Sequence, residues 1–287
     1  TDLSEIRRHA DADERTLEDF LSRMEQAVKE SETRSGLETE HENSAARRGE
    51  TDRRHLEKLF EKARKDRSRA YELKQELDRL GLRENTIVVF FSDNGGLATG
   101  SHTRYPVCNL PLRAGKAWLY EGGIREPLLI SYPQKVKAGQ RLSQPVVSTD
   151  LFPTILGLAG LPLMPDQHVD GVDLAPLLEG KTTKMAREAL FFHFPHYHPI
   201  NTMGPAGAIR AGDYKLIEVF ETGKKELYNL REDIGESRDL AAEKPELVAK
   251  LSHLIKQWRQ DSGSKMATLN PNYTPENDWR NPSPSKP

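Results

Sequence analysis

Cysteine is nearly absent from this 287-residue sequence, where Cys108 stands alone. One thiol excludes an internal disulfide and a cysteine-rich zinc site, and leaves the redox compartment unspecified. No stretch approaches the ~18 consecutive apolar residues of a membrane-spanning helix, which excludes a transmembrane segment. Surplus charge is small too: a net charge of -2 gives no general attraction to nucleic acid or an anionic membrane. Thr1-Asp2-Leu3-Ser4-Glu5 has neither a basic start nor an apolar stretch, so no signal peptide is expected. The first residue is not Met, which predicts a fragment of a longer protein.

Proline is missing from residues 1–80, where about half the positions are charged against about a quarter of the remainder. Two kinds of polymer therefore share one chain. Apolar residues recur at helical spacing in Leu17, Phe20, Leu21, Met24 and Val28, and again from Leu56, Leu59, Phe60 and Ala63 through Tyr71, Leu73 and Leu77 to Leu80. This spacing predicts two charged helices, with Gly81 ending the second. The polar stretch Ser31 to Asp52, broken by Gly36 and Gly49, is expected to be a flexible link. Either a coiled-coil partner surface or solvated helices packed on a neighbour fits this pattern.

Beyond Gly81 the texture changes. Thr86-Ile87-Val88-Val89-Phe90-Phe91 and Pro127-Leu128-Leu129-Ile130-Ser131-Tyr132 are short runs with no polar face, expected to be strands covered on both sides in an α/β sheet. Ser148 to Gly160 opens with capping residues, runs apolar at helical spacing and closes in glycine, which predicts a helix. From about Arg187 the pattern predicts antiparallel strands turning at Ala211-Gly212-Asp213 and at Thr222-Gly223. A final helix from Pro245 to about Gly263 follows. The tail, rich in Asn-Pro and Ser-Pro, is expected to be extended or disordered.

Two motifs can carry chemistry. Asp93 and Asn94 put a carboxylate and an amide oxygen side by side at a strand end, with Gly95 and Gly96 following. Hard cations such as Ca²⁺ and Mg²⁺ take such oxygens, although the same residues also make an ordinary turn. Lys116, between Gly115 and Ala117, could neutralise one oxygen of a sulfate or phosphate as a point charge. Taken alone, a solvated surface lysine is the favoured reading. Arg113 and Arg125 are expected to pair with Glu121 or Glu126. His196 and His198, at alternate positions, could face one ion or a sugar sulfate.

The order of motifs narrows this. Ser92-Asp93-Asn94-Gly95-Gly96 is followed by Pro111-Leu112-Arg113-Ala114-Gly115-Lys116 and Leu119-Tyr120-Glu121-Gly122-Gly123-Ile124-Arg125-Glu126-Pro127. Then come Asp150-Leu151-Phe152-Pro153-Thr154-Ile155-Leu156, Asp170-Gly171-Val172-Asp173-Leu174, Ile209-Arg210-Ala211-Gly212-Asp213-Tyr214-Lys215-Leu216 and Glu226-Leu227-Tyr228-Asn229-Leu230. The succession closely resembles formylglycine-dependent sulfatases, and is most similar to bacterial arylsulfatases of the arylsulfatase A and N-acetylgalactosamine-6-sulfatase type.

The resemblance implies an α/β fold, here a remnant of the alkaline-phosphatase-like sulfatase sheet with a small C-terminal antiparallel sheet and packed helix, preceded by charged helices. It implies a partial α/β domain over 68–185 and a C-terminal antiparallel β and helix subdomain over 186–275, whereas the charged helical extension over 1–67 resembles no sulfatase segment and the tail over 276–287 is expected to be disordered. It further implies Ca²⁺ bound in part by Asp93 and Asn94, and Lys116 acting on the sulfate. His102, His196 and His198 would be substrate contacts. The activity implied is hydrolysis of aryl or carbohydrate sulfates, in a family that is usually periplasmic or secreted.

The sequence also departs from the family. The formylglycine nucleophile is made from cysteine in Cys-x-Pro-Ser-Arg, and Cys108-Asn109-Leu110-Pro111-Leu112-Arg113 places proline and arginine one position too late. The upstream metal-binding aspartates and the assisting His and Lys also have no match. A dication takes about six oxygens, so Ca²⁺ is expected to bind weakly and this chain alone to be inactive. The incomplete sheet should expose apolar edges. An inactive sulfatase-derived protein whose helices mediate association is the alternative, and a phosphate- or phosphonate-ester hydrolase of the wider superfamily is a third reading.

Overall fold

Helix dominates the described part of the stretch without proline. In the computed structural model, which describes residues 40–66, 69–98, 107–198, 200–268 and 270–274, α1 spans Glu40–Lys65 and α2 spans Ala70–Arg79. The first expected helix, around Leu17 to Val28, lies outside the described residues, as does the tail beyond 274. Part of the expected link is helical instead. Gly49 sits exposed inside α1, with open space about it. A glycine there costs about 1 kcal/mol relative to alanine, which a 26-residue helix laced with pairs such as Arg54–Glu50 and Arg53–Glu57 absorbs.

The expected continuous helix from Leu56 to Leu80 is broken after Lys65. Reversal of the chain lets Leu59 of α1 reach Leu73 and Leu77 of α2, which one straight helix could never do. Gly81 ends α2 at φ +67, as its position predicts. These helices form one compact unit, and the chain from Leu82 onward forms another.

The second unit opens with β1 (Val88–Phe91), followed by the single turn α3 (Glu121–Ile124) and β2 (Leu128–Ser131). The two strands pair antiparallel, Val89 opposite Ile130. They are not covered on both sides: Val88, Phe90 and Leu129 are exposed. A run apolar on both faces needs two covering layers, and a two-stranded pair here has at most one. Apolar side chains are therefore exposed on one face of the pair.

A 3₁₀ turn at Ser148–Asp150 leads into α4 (Leu151–Ala159), which Gly160 ends at φ +74. The buried Asp150 carboxylate anchors this entry: it accepts hydrogen bonds from the backbone of Val147 and Val172 and a forked pair from Arg187 at 2.8 and 2.7 Å. The short α5 (Ala175–Leu178) packs beside Leu158 and Tyr132.

The remainder is a four-stranded antiparallel meander. β3 (Ala189–Phe194), β4 (Ala206–Ala211), β5 (Tyr214–Val219) and β6 (Lys225–Asn229) lie in sequence order, and α6 (Pro245–Asp261) closes the chain. Side chains alternate across its faces. Ile209, Leu216 and Leu227 meet Leu251 and Ile255 of α6, whereas Ala208, Ile217 and Tyr228 meet Leu119 and Tyr120. The sheet thus has helix on one side and the lysine-bearing segment on the other.

Candidate functional site

Three stretches of backbone cross at the expected site. After β1 the chain bends through Ser92 to Gly96, with the Ser92 hydroxyl donating to the Asn94 carbonyl at 3.2 Å. The Gly95 N–H donates to the Gly123 carbonyl at 3.1 Å, the Lys116 N–H to the Gly96 carbonyl at 3.1 Å, and the Gly122 N–H to the Arg113 carbonyl at 2.8 Å. The Asp93-Asn94 bend and the Lys116 loop are therefore joined directly by main-chain bonds.

Glycine occupies each crossing because nothing larger fits. A Cβ on Gly95 would lie 1.8 Å from the Gly122 carbonyl oxygen, and one on Gly123 would lie 2.1 Å from that of Trp118. One on Gly115 would lie 2.3 Å from the Gly96 oxygen. On either side of the lysine, Ala114 (φ 59) and Ala117 (φ 72) adopt left-handed backbone. That conformation costs a non-glycine residue about 1–3 kcal/mol, and it persists only where surrounding structure imposes it.

Asp93 and Lys116 are exposed and Asn94 is half-buried. Among the described residues, the side chains of these three make no hydrogen bond or ion pair, while the neighbouring Ser92, Gly95 and Lys116 N–H groups are bonded to backbone carbonyls. Asp93 and Asn94 stand on the wall of a cleft of about 1110 Å³, shared with Trp118, Glu126 and Arg210. Burial pushes the Glu126 carboxyl above the usual range; a hydrogen bond from Ser92 opposes this, and the charge of Asp93 adds to it. Two hard oxygen donors in a bend, where the alternation of a strand ends, suit part of a Ca²⁺ shell. No group of three or more His, Cys, Asp or Glu side chains able to hold a metal exists among the described residues. The described part of the chain offers a share of such a shell.

The histidines separate. His102 lies outside the described residues. His198 bridges to Asn201, whose buried side-chain amide donates to the Ala117 carbonyl at 2.8 Å. The Trp118 indole donates to the Ile200 carbonyl at 3.2 Å, so the His198 loop is pinned to residues following Lys116. His196 is exposed, its ring packed on Phe194. His193 instead packs on Phe220 and Trp258, with Nε2 2.8 Å from the Lys265 carbonyl.

A layer of charge beneath the loops escaped the sequence reading. Fully buried Lys215 of β5 reaches Glu121 at 2.9 Å and Glu236 at 2.7 Å, and the Glu121 N–H donates to Glu236 at 2.6 Å. Burial would raise both carboxyls. For Glu121 the charge and hydrogen bond of Lys215, with Arg210 and Arg125 nearby, outweigh burial and hold it below the usual range. For Glu236 burial prevails and the carboxyl is raised. Arg125 pairs with Glu121, as expected. Arg113 does not pair with Glu121 or Glu126: it stacks on the Tyr120 ring at 3.8 Å and donates to the Tyr228 hydroxyl and the Glu236 carbonyl. Its sequence neighbours offered carboxylates, but the fold turns it toward the sheet. Only sequence-distant partners distinguish these buried charges from surface ones.

Comparison with known proteins bears on the family of the chain. The family model described as N-sulphoglucosamine sulphohydrolase, C-terminal, matches residues 114–261, just over half of the chain. A sulfatase of Formosa agariphila is 37% identical over 192 residues, 62% of this chain and 34% of that protein. Human arylsulfatase A is 43% identical over 140 residues, 47% of this chain and 25% of that protein. The solved structure of BT4656, in complex with its substrate D-glucosamine-2-N,6-O-disulfate, superposes with a TM-score of 0.57 at 26% identity, covering 69% of this chain and 39% of that one. The chain thus spans a quarter to a third of the length of these curated relatives. With its motifs in order and its C-terminal sheet and helix inside the matched region, the chain belongs to the sulfatase family and carries its carboxy-terminal portion.

Proposed function

We propose that this chain supplies the cation- and sulfate-binding part of a site for hydrolysing sulfate esters, aryl or carbohydrate. The observation that carries the reading is the trio of uncommitted polar side chains, Asp93, Asn94 and Lys116, on a rigid crossing of backbones. Asp93 and Asn94 would hold Ca²⁺ through oxygen, and the Lys116 ammonium would bind a sulfate oxygen as a point charge. When bound, Ca²⁺ neutralises charge on the sulfate oxygens as a Lewis acid. Lys116 is exposed between Ala114 and Ala117, both in left-handed backbone, and so accessible to an anion. The link from the His198 loop to Ala117 supports a role for His198, and with it His196, as substrate contacts beside that lysine, while His102 lies outside the described residues.

The nucleophile is not part of these residues. Cys108 is exposed, but it lacks the spacing that formylglycine formation requires. Positioning without a nucleophile gives little turnover, so the 287-residue chain should not cleave 4-methylumbelliferyl sulfate. Calorimetric titration tests the binding claim. Ca²⁺ should bind weakly, on the order of 10⁻⁴–10⁻³ M, and Asp93→Ala should abolish it. Inorganic sulfate should bind in the presence of Ca²⁺ and be lost in Lys116→Ala. Unchanged Ca²⁺ binding by Asp93→Ala, or turnover by the chain alone, overturns the reading.

A further inference from the structure

We infer that Asn109 is the positioning residue that fixes the spacing between the Asp93-Asn94 bend and Lys116, an inference resting on the binding roles proposed above. Its side-chain amide donates to three backbone carbonyls: Gly96 at 2.9 Å, Ala114 at 3.0 Å and Gly122 at 3.3 Å. Each acceptor belongs to a different limb of the site. Gly96 closes the bend, Ala114 opens the lysine loop, and Gly122 belongs to α3. An amide has two N–H bonds, so both are used and one is shared.

Three further facts argue against an ordinary loop asparagine. First, its backbone already makes the local turn, with the Leu112 N–H donating to the Asn109 carbonyl at 2.9 Å, so the side chain is not needed there. Two of its three acceptors lie 13 positions away, one upstream and one downstream. Second, the orientation of the amide is forced. A flipped group would set its oxygen against three carbonyl oxygens. Third, the surrounding glycines make room for this group. A Cβ on Gly96 would lie 2.7 Å from Oδ1, and one on Gly115 would lie 2.8 Å from Nδ2. The Gly95–Gly123 and Lys116–Gly96 bonds join the limbs in pairs, whereas Asn109 ties all three to one point.

Asn109→Asp tests this with no change of shape, since it sets a carboxylate against three carbonyls. Asn109→Ser keeps one small donor, and Leu251→Ala, on the buried face of α6, serves as a destabilised control away from the site. Amide hydrogen exchange at Gly95, Lys116 and Gly122 should be about tenfold or more faster in Asn109→Asp, with β4 and β5 unaffected. Asn109→Ser should recover part of that protection, which also covers the case in which Asn109→Asp fails to fold. Sulfate affinity is measured alongside, with and without Ca²⁺. The tightening by Ca²⁺ should vanish in Asn109→Asp and survive in Leu251→Ala. Unchanged exchange at those three amides, or retained tightening, overturns the assignment. If the wild-type chain shows no Asp93-dependent Ca²⁺ binding, the binding roles fail, and the exchange result still decides Asn109.

Discussion

Side chains at this site are divided between those that hold and those that offer. Gly123 holds: its missing Cβ would lie 2.1 Å from one backbone oxygen and 2.5 Å from another. Backbone cannot swing aside as a side-chain tip can, so Gly123→Ala should cost more than about 3 kcal/mol in a urea titration. Lys215 holds as well. Lys215→Met would leave Glu121 and Glu236 buried without their shared cation, and a loss of about 3–5 kcal/mol is expected by the same measurement. The offering residues were the legible ones. Asp93, Asn94 and Lys116 announce themselves by residue type beside glycine. Asn109 and Lys215 do not, because an asparagine in a loop and a lysine in a strand look the same whether solvated or buried. Lys215 finds Glu121 across 94 positions, and no local pattern encodes such a pairing.

At the level of elements, the C-terminal meander was readable because its rules are local. Gly212 (φ +57) and Gly223 (φ +68) stand in the two expected turns, and Pro245 opens α6 as expected. The break between α1 and α2 was not readable, since Asp66 to Arg69 contains no proline or glycine and only the tertiary pairing of Leu59 with Leu73 and Leu77 requires it. α6 has one task in this arrangement, covering the sheet face opposite the lysine segment. Ile255→Ala should cost about 2–5 kcal/mol through the cavity it leaves, lowering the urea midpoint while Ca²⁺ affinity of the folded protein stays unchanged.

For the whole molecule, two compact units with separate cores imply separable folding. A chain beginning at Leu82 should keep the main thermal transition of the full protein, measured by calorimetry. Acid should weaken that transition. The Glu226 carboxyl would be raised by burial, but hydrogen bonds from Lys224, Tyr120 and Tyr228 hold it below its ordinary 4.5. Glu121 is lowered in the same way. Groups with lowered folded values stabilise fully above the unfolded value, and that stability is lost as pH falls through the folded one. The melting temperature should therefore drop below about pH 4.5, and Glu226→Gln should flatten part of that decline. Glu236, raised by burial, acts with the opposite sign, since it opposes folding as pH rises past its unfolded value.

The glycine crossing has a consequence for descent. What a Cβ would strike at Gly95, Gly122 and Gly123 is main chain, and no substitution elsewhere can shrink a carbonyl. A lineage that lost its chemistry would remain bound to these glycines by folding alone, while Asp93, Asn94 and Lys116, which nothing in the described structure requires, would be free to drift. The glycines therefore record ancestry, and only retention of the three side chains beside them would record use.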